Sequence, residues 1–78
     1  MANNEQILNA LLREIQIILD EPDIRGNDNF VELGGNSIMA IQVVERLKTR
    51  DGILVNLAQL LGTRIDHVEL IRTAPLNK

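Results

Sequence analysis

The sequence contains no cysteine, tryptophan or tyrosine, and Phe30 is its only aromatic residue. Without cysteine the chain can form no disulfide framework, no thiolate zinc site and no cysteine nucleophile. Its core must therefore be built from aliphatic side chains. A hydrophobic share of 45% next to 24% charged residues is typical of a globular domain and argues against disorder.

Basic residues are also scarce: eight Lys and Arg face eleven Asp and Glu, which gives a net charge of −3. With neither a basic block nor a row of aromatic residues, we expect no nucleic-acid binding. No apolar run approaches the roughly 18–20 residues of a membrane span, and the N-terminus lacks the features of a signal peptide. These observations predict a cytoplasmic protein that does not bind membranes.

A length of 78 residues predicts a single domain. We expect an ordered core over about residues 4–72, a flexible tail over 73–78, and a monomer. Met1 and the short ends fit a free-standing protein and a domain excised from a larger one equally well.

The most informative stretch is Leu33-Gly34-Gly35-Asn36-Ser37. Two adjacent glycines permit a tight turn, and Asn36 is a good N-cap for the helix-forming run that follows. Ser37 is therefore expected in the first turn of a helix, where backbone N–H groups and the helix dipole favour a phosphate. The simpler alternative is that the serine only helps to cap the helix.

Residues 28–38, Asp-Asn-Phe-Val-Glu-Leu-Gly-Gly-Asn-Ser-Ile, closely resemble the attachment motif of peptidyl carrier proteins, the thiolation domains of nonribosomal peptide synthetases. The resemblance extends over about residues 5–71. It implies that Ser37 receives 4′-phosphopantetheine from coenzyme A, with Gly34, Gly35 and Asn36 as the supporting loop. It also implies a carrier rather than an enzyme.

The chain departs from the family pattern at three places. Val31 stands where a second aromatic residue is common, and Asn36 stands where Asp or His is commoner, so no ionisable group adjoins the serine. Gly62-Thr63 replaces the Pro-Thr pair that many peptidyl carriers have before their last helix.

The expected fold is all-α, an acyl-carrier-like bundle of four helices with a long loop between the first two. The first helix should run from about Asn4 to Leu19, with Asn3 and Gln6 forming a capping box, and should end before Pro22. Its core-facing stripe is expected to consist of Ile7, Leu8, Leu11, Leu12, Ile15, Ile18 and Leu19. Ile24, Phe30 and Leu33 are expected to pin the long loop.

The second helix should extend from Ser37 to about Arg50. A short third helix is expected after Asn56, anchored by Leu57, Leu60 and Leu61, with Gln59 completing the cap and Gly62 as the stop. The expected fourth helix has about nine residues, is capped by Thr63 and buries Ile65, Val68 and Ile71.

On the second helix, the apolar stripe of Ala40, Val43, Val44 and Leu47 should face the core. Ile38, Ile41, Gln42 and Glu45 fall on the opposite side, so two branched apolar residues are expected to be exposed next to Ser37. We interpret this side as a partner-docking face, although scattered surface aliphatic residues are common. The resemblance implies that its partners are a phosphopantetheinyl transferase, an adenylation enzyme or domain, and condensation, tailoring or thioesterase enzymes.

The charge of the second helix distinguishes between related carriers. Glu45 is its only acid, against Arg46, Lys48 and Arg50. Carriers of fatty-acid synthesis resemble the chain in outline but usually have a strongly acidic second helix, so the composition favours a peptide-synthetase carrier. An acyl carrier of fatty-acid or polyketide synthesis and an unmodified helical interaction module remain the alternatives.

No catalytic or metal-binding pattern is evident. Ser37 would need a base, and nothing in the sequence brings the only histidine, His67, close to it. The loop carries acids at calcium-loop spacing, at Glu21, Asp23 and Glu32, but Arg25 occupies a ligand position and breaks the pattern. We therefore predict no metal site.

Overall fold

The computed structural model describes residues 4–73. Helix α1 spans Asn4–Leu19 and helix α2 spans Ser37–Arg46, with a long connection between them. A π-helical turn, Leu47–Asp51, continues α2, and strand β1, Ile53–Val55, leads to the short helix α3, Leu57–Gly62. A 3-10 turn, Ile65–His67, and strand β2, Leu70–Arg72, complete the described chain.

Helix α1 has the predicted bounds and buries the predicted face. Ile7, Leu11 and Ile15 are buried, and the remaining residues of the stripe pack against them from partly exposed positions. The helix ends because Asp20 adopts a left-handed φ of 53°. The Asp20 and Glu21 N–H groups donate to the carbonyls of Ile17 and Gln16, which is the bonding pattern of a Schellman C-cap. Asn3, the predicted N-cap, lies outside the described residues.

The long loop is held by its own apolar side chains, as predicted. Phe30 is fully buried and Ile24 is buried, while Leu33 packs against the same core from a partly exposed position. Ala40 and Val43 of α2 and Leu47 of the π-helical turn face this core, and Val44 lies at its margin. The single aromatic ring therefore sits at the centre of the domain, under the loop that precedes α2.

The prediction of an all-α fold with four helices is wrong for the part of the described chain that begins at β1, where α3 is the one α-helix. Residues 53–55, expected to lead into the third helix, form β1, which pairs antiparallel with β2 in the register Ile53↔Arg72, Leu54↔Ile71, Val55↔Leu70. Thr73, which the sequence assigned to a flexible tail, donates through both its N–H and its hydroxyl to the Gly52 carbonyl at 2.8 Å. The remainder of the predicted tail, residues 74–78, lies outside the described chain.

The predicted fourth helix is a single 3-10 turn, because the backbone becomes extended at Val68 and the next residues pair as β2 with β1. The Thr63 hydroxyl donates back to the Gln59 carbonyl at 3.0 Å, so it closes α3 instead of capping a following helix. Ile65 and Val68 are buried as predicted, but Ile71 is 51% exposed. Their i, i+3 spacing fits one 3-10 turn as well as a helix, and branched residues also suit the strand that follows.

The 3-10 turn is joined to the long loop through the backbone. The Ile65 N–H donates to the Asp28 carbonyl at 2.9 Å, and the Asp66 N–H donates to the Gly26 carbonyl at 2.8 Å. Arg64 donates to both carboxylate oxygens of Asp66, at 3.0 and 2.6 Å, and this pairing lowers the pKa of Asp66. The 3-10 turn therefore supports the loop that leads to Ser37.

A buried carboxylate joins α1 to α2. Glu14 is fully buried, with its Oε2 bonded to the Arg46 Nε and its Oε1 bonded to an Arg50 terminal nitrogen at 2.5 Å. The hydrogen bond that Arg50 donates to Glu14 raises the pKa of Arg50. Both carboxylate oxygens have a charged donor, which is the condition under which a buried acid is tolerated.

We predict that Glu14→Gln lowers the free energy of unfolding by about 1–2 kcal/mol, because the amide presents a donor where the carboxylate accepted from a second arginine. Both arginines are half exposed and can return to water, which keeps the cost moderate. Urea unfolding followed by circular dichroism measures it. Glu45→Gln, an exposed position on α2, is the control and should change stability by less than about 0.5 kcal/mol. Equal stability of the two variants would contradict the role of Glu14.

No helix among residues 4–73 is long and apolar enough to cross a membrane.

Candidate functional site

The segment before α2 forms one capped helical turn. Asn29 begins it, because its Oδ1 accepts from the Val31 and Glu32 N–H groups at 3.1 and 3.3 Å. At its end, the Gly35 N–H donates to the Phe30 carbonyl and the Gly34 N–H donates to the Val31 carbonyl, both at 3.0 Å. These bonds form a Schellman motif, so the turn stops at the two glycines and the chain passes directly into α2.

The two glycines have different reasons to be glycine. Gly34 adopts a φ of 107°, which side chains disfavour, and the space around it is open. Gly35 is buried, and a Cβ there would lie 2.4–2.6 Å from ring carbons of Phe30. The prediction that the pair permits a tight turn holds for Gly34, whereas Gly35 is required by close packing on the aromatic ring.

Asn36 is the N-cap of α2, as predicted. Its backbone is extended, with φ −140° and ψ −179°, and its Oδ1 accepts from the Met39 N–H at 2.9 Å. Ser37 is the first residue of the helix and is exposed. The Ser37 hydroxyl therefore lies at the start of α2, next to the N-cap residue whose side chain accepts from the Met39 N–H.

This arrangement fits a phosphodiester on Ser37. The first N–H groups of an α-helix lack acceptors within the helix, and Asn36 supplies one only for Met39, so the N–H groups of Ser37 and Ile38 remain to face an anion. The positive end of the helix dipole adds about 0.3–1 kcal/mol for a negative group. The open space at Gly34 leaves room beside the serine.

The outer face of α2, formed by Ile38, Ile41, Gln42 and Glu45, is exposed at all four positions, as the helical spacing predicts. Ile38 is 71% exposed and Ile41 is 49% exposed, so both branched apolar side chains lie on the surface. Positions three and four apart are neighbours on a helix surface, so the four residues form one compact patch beside Ser37. Its role in partner docking remains a prediction.

Two features near the site were not predicted. Val31, in the helical turn before the glycines, is 45% exposed and adds an apolar side chain to the loop. Arg46 and Arg50 bond to Glu14, so two of the three bases that distinguish α2 from the acidic helix of fatty-acid carriers neutralise a buried acid. The excess of bases in α2 and its π-helical continuation therefore serves partly to pair with an acid of α1.

Within residues 4–73, no group of three or more His, Asp or Glu side chains is arranged to hold a metal ion. Two of the acids at calcium-loop spacing make contacts within the loop instead: Glu21 accepts from the Asp23 N–H at 3.4 Å, and the Asp23 carboxylate lies 3.7 Å from the Arg25 Nε. Asp28, another acid of the loop, accepts from the Arg25 N–H at 2.9 Å. His67 lies in the 3-10 turn, exposed and 3.7 Å from Asp66.

Comparison with known proteins agrees with this site. The sequence profile described as phosphopantetheine attachment site matches residues 5–69. The chain is also 39% identical, over 84 aligned residues, to the nonribosomal peptide synthetase imqB of Aspergillus flavus, an alignment that covers 97% of this chain and 2% of that protein. No solved structure matches the chain. The chain therefore belongs to the phosphopantetheine attachment site family, whose members carry a covalently attached 4′-phosphopantetheine.

Proposed function

We propose that the chain is a peptidyl carrier, modified on Ser37, that delivers aminoacyl or acyl intermediates between the enzymes of nonribosomal peptide synthesis. The observation that carries this proposal is an exposed serine at the first position of α2, behind a capped turn and a glycine pair. It lies within the segment that matches the family. Family membership also supports a carrier that is not itself a catalyst.

Attachment converts the Ser37 hydroxyl into a phosphodiester. The Oγ bonds to the pantetheine-side phosphorus of coenzyme A, the pyrophosphate bond breaks, and the nucleotide half leaves as 3′,5′-ADP. The hydroxyl proton passes to a base of the transferase. Asn36 and the first turn of α2 hold the product, because the N–H groups there face the new negative charge. When bound, the 4′-phosphopantetheine arm supplies a terminal thiol that holds cargo as a thioester.

The peptide-synthetase assignment rests on the similarity to imqB, of which the chain spans only a small part. Loading by an amino-acid-adenylating enzyme, compared with loading by an acyl-transferring enzyme, separates a peptidyl carrier from a fatty-acid or polyketide carrier. Efficient aminoacylation of the modified protein supports the proposal. Acylation by the second enzyme alone would assign the chain to the other class.

Intact-mass measurement tests the attachment itself. The protein is incubated with coenzyme A and a broad-specificity phosphopantetheinyl transferase, beside a Ser37→Ala variant as the control. Ser37 is the only serine in the chain, so this single substitution removes every serine hydroxyl. We expect the mass of one phosphopantetheine to be added to the native protein and none to the variant. An unmodified native protein with an active transferase would favour an interaction module that needs no modification.

A further inference from the structure

A cleft of about 680 Å³ lies between α1, the π-helical turn and β2. Arg13, Arg50 and Arg72 line it, together with a single acid, Asp51. Three of the eight Lys and Arg residues of a chain with net charge −3 thus converge on one concave surface. The lining of the cleft therefore carries three positive side chains and one negative side chain, although the chain as a whole is acidic.

The three guanidinium groups are available to different degrees. The guanidinium group of Arg50 is already partly bonded: one of its terminal nitrogens donates to Glu14 at 2.5 Å and to Asp51 at 3.4 Å. A guanidinium has five N–H donors, so most of the Arg50 fork is still available. Arg13 and Arg72 are exposed, and neither is paired with an acid among residues 4–73. One anchored and two unpaired arginines therefore face the same space.

The shape and chemistry of the cleft suit carboxylates on a short peptide. Its volume exceeds that of a single small anion, and guanidinium forks match carboxylates in bidentate geometry. The side-chain amide of Asn9 also lines it and can bond to peptide backbone groups. A nucleic acid fits less well, because no aromatic residue lines the cleft and the net negative charge of the chain repels a long polyanion.

The cleft is remote from the modified serine. Arg50 follows Ser37 by thirteen positions along α2 and its π-helical continuation, which places it about 20 Å away at the rise of an α-helix. An occupant of the cleft would leave Ser37 and the outer face of α2 uncovered.

We propose that this cleft binds an acidic peptide segment of a partner protein, as a second contact at the end of α2 opposite Ser37. The segment supplies carboxylates to Arg13, Arg72 and the free part of the Arg50 fork. It holds the carrier near a partner while Ser37 and the outer face of α2 stay accessible. Binding in the cleft does not require modification of Ser37 and can be tested on the unmodified protein.

The test is a titration of the ¹⁵N-labelled full chain at low salt with an acetylated hexaglutamate peptide, beside hexaglutamine. We expect amide shift changes confined to the lining of the cleft with hexaglutamate only. An Arg13→Gln/Arg72→Gln variant should bind about tenfold more weakly, since two charge-assisted contacts are lost. An Arg25→Gln/Lys48→Gln variant removes the same charge at exposed positions outside the cleft and should bind within about twofold of the native protein.

Equal weakening in the two double variants, or shift changes spread over the surface, would show only general attraction of charge and would overturn the proposal. Tighter binding of a single-stranded oligonucleotide at the same residues would assign the cleft to nucleic acid instead. If inorganic phosphate at the same concentration causes the same amide shift changes as hexaglutamate, the cleft is a simple anion site and the proposal of a peptide site is wrong. The amide spectra of both double variants report whether each remains folded.

Discussion

Gly35→Ala is expected to lower the free energy of unfolding by about 2–3 kcal/mol, because the new methyl group overpacks a filled core. Its carbon would lie 2.4–2.6 Å from the ring of Phe30, which is fully buried and has no free space to enter. In a domain of this size the core supplies only about 3–5 kcal/mol, so the variant should be largely unfolded in mild urea. Urea unfolding followed by circular dichroism measures the loss.

Gly34→Ala is the matched control, since it adds the same methyl group one residue earlier, into open space. It should cost about 1–2 kcal/mol through the φ of 107° alone. Phe30→Leu separates overpacking at position 35 from backbone strain at position 34. The smaller side chain leaves room for a methyl group at position 35 and changes nothing at position 34. A double-mutant cycle should therefore show favourable coupling of Phe30→Leu with Gly35→Ala and none with Gly34→Ala. Coupling of equal size in both cycles would contradict the packing explanation.

Ile38→Asp is expected to abolish cargo transfer by partner enzymes while stability changes by less than about 0.5 kcal/mol. Ile38 is 71% exposed and adjoins Ser37, so a partner that binds the outer face of α2 must cover it. An acid in the first turn of a helix is favourable, which protects the fold. Ile38→Gln tests the loss of apolar contact without adding charge beside the phosphodiester, and it should lower the transfer rate about tenfold.

The control for this surface is Ile17→Asp, which changes a 57% exposed isoleucine on α1. We expect it to leave phosphopantetheine loading and transfer unchanged. Transfer rates and thermal unfolding are measured for all three variants after modification of Ser37. A normal transfer rate of the Ile38→Asp variant would show that partner enzymes do not dock on the outer face of α2. A large fall in the melting temperature of this variant would show that Ile38 contributes to the core.

The features that local sequence determines were predictable. Helical spacing and Pro22 gave the bounds of α1, and the Asn36 cap gave the start of α2 and hence the exposed position of Ser37. Helical spacing also separated the buried residues Ala40 and Val43 of α2 from the exposed Ile38. These outcomes depend on residues within one or two helical turns of each other, where periodicity and capping are sufficient.

The features that depend on distant partners were not predictable. The fourth helix is not formed because the backbone is extended at Val68 and residues 70–72 pair with β1, whose position in space the local sequence does not reveal. The N–H groups of Ile65 and Asp66 bond to carbonyls of the long loop, about forty positions earlier in the chain. Glu14 lies on the same stripe as Ile7 and Leu11, which was a sign of burial, but its neutralisation requires Arg46 and Arg50 from another helix. Periodicity assigns a face to each residue and does not reveal which acceptors and charges that face will meet.

The pairing of β1 with β2 has a consequence for grafting this domain into other proteins. A junction placed after α3, at Gly62, looks natural from the helix pattern, but it would remove the 3-10 turn whose backbone bonds to Asp28 and Gly26 steady the loop before Ser37. A junction after Thr73 keeps those bonds and the strand pair. Fusion proteins that contain this domain should therefore be joined beyond Thr73, where the fusion point leaves the bonds that support the loop before Ser37 in place.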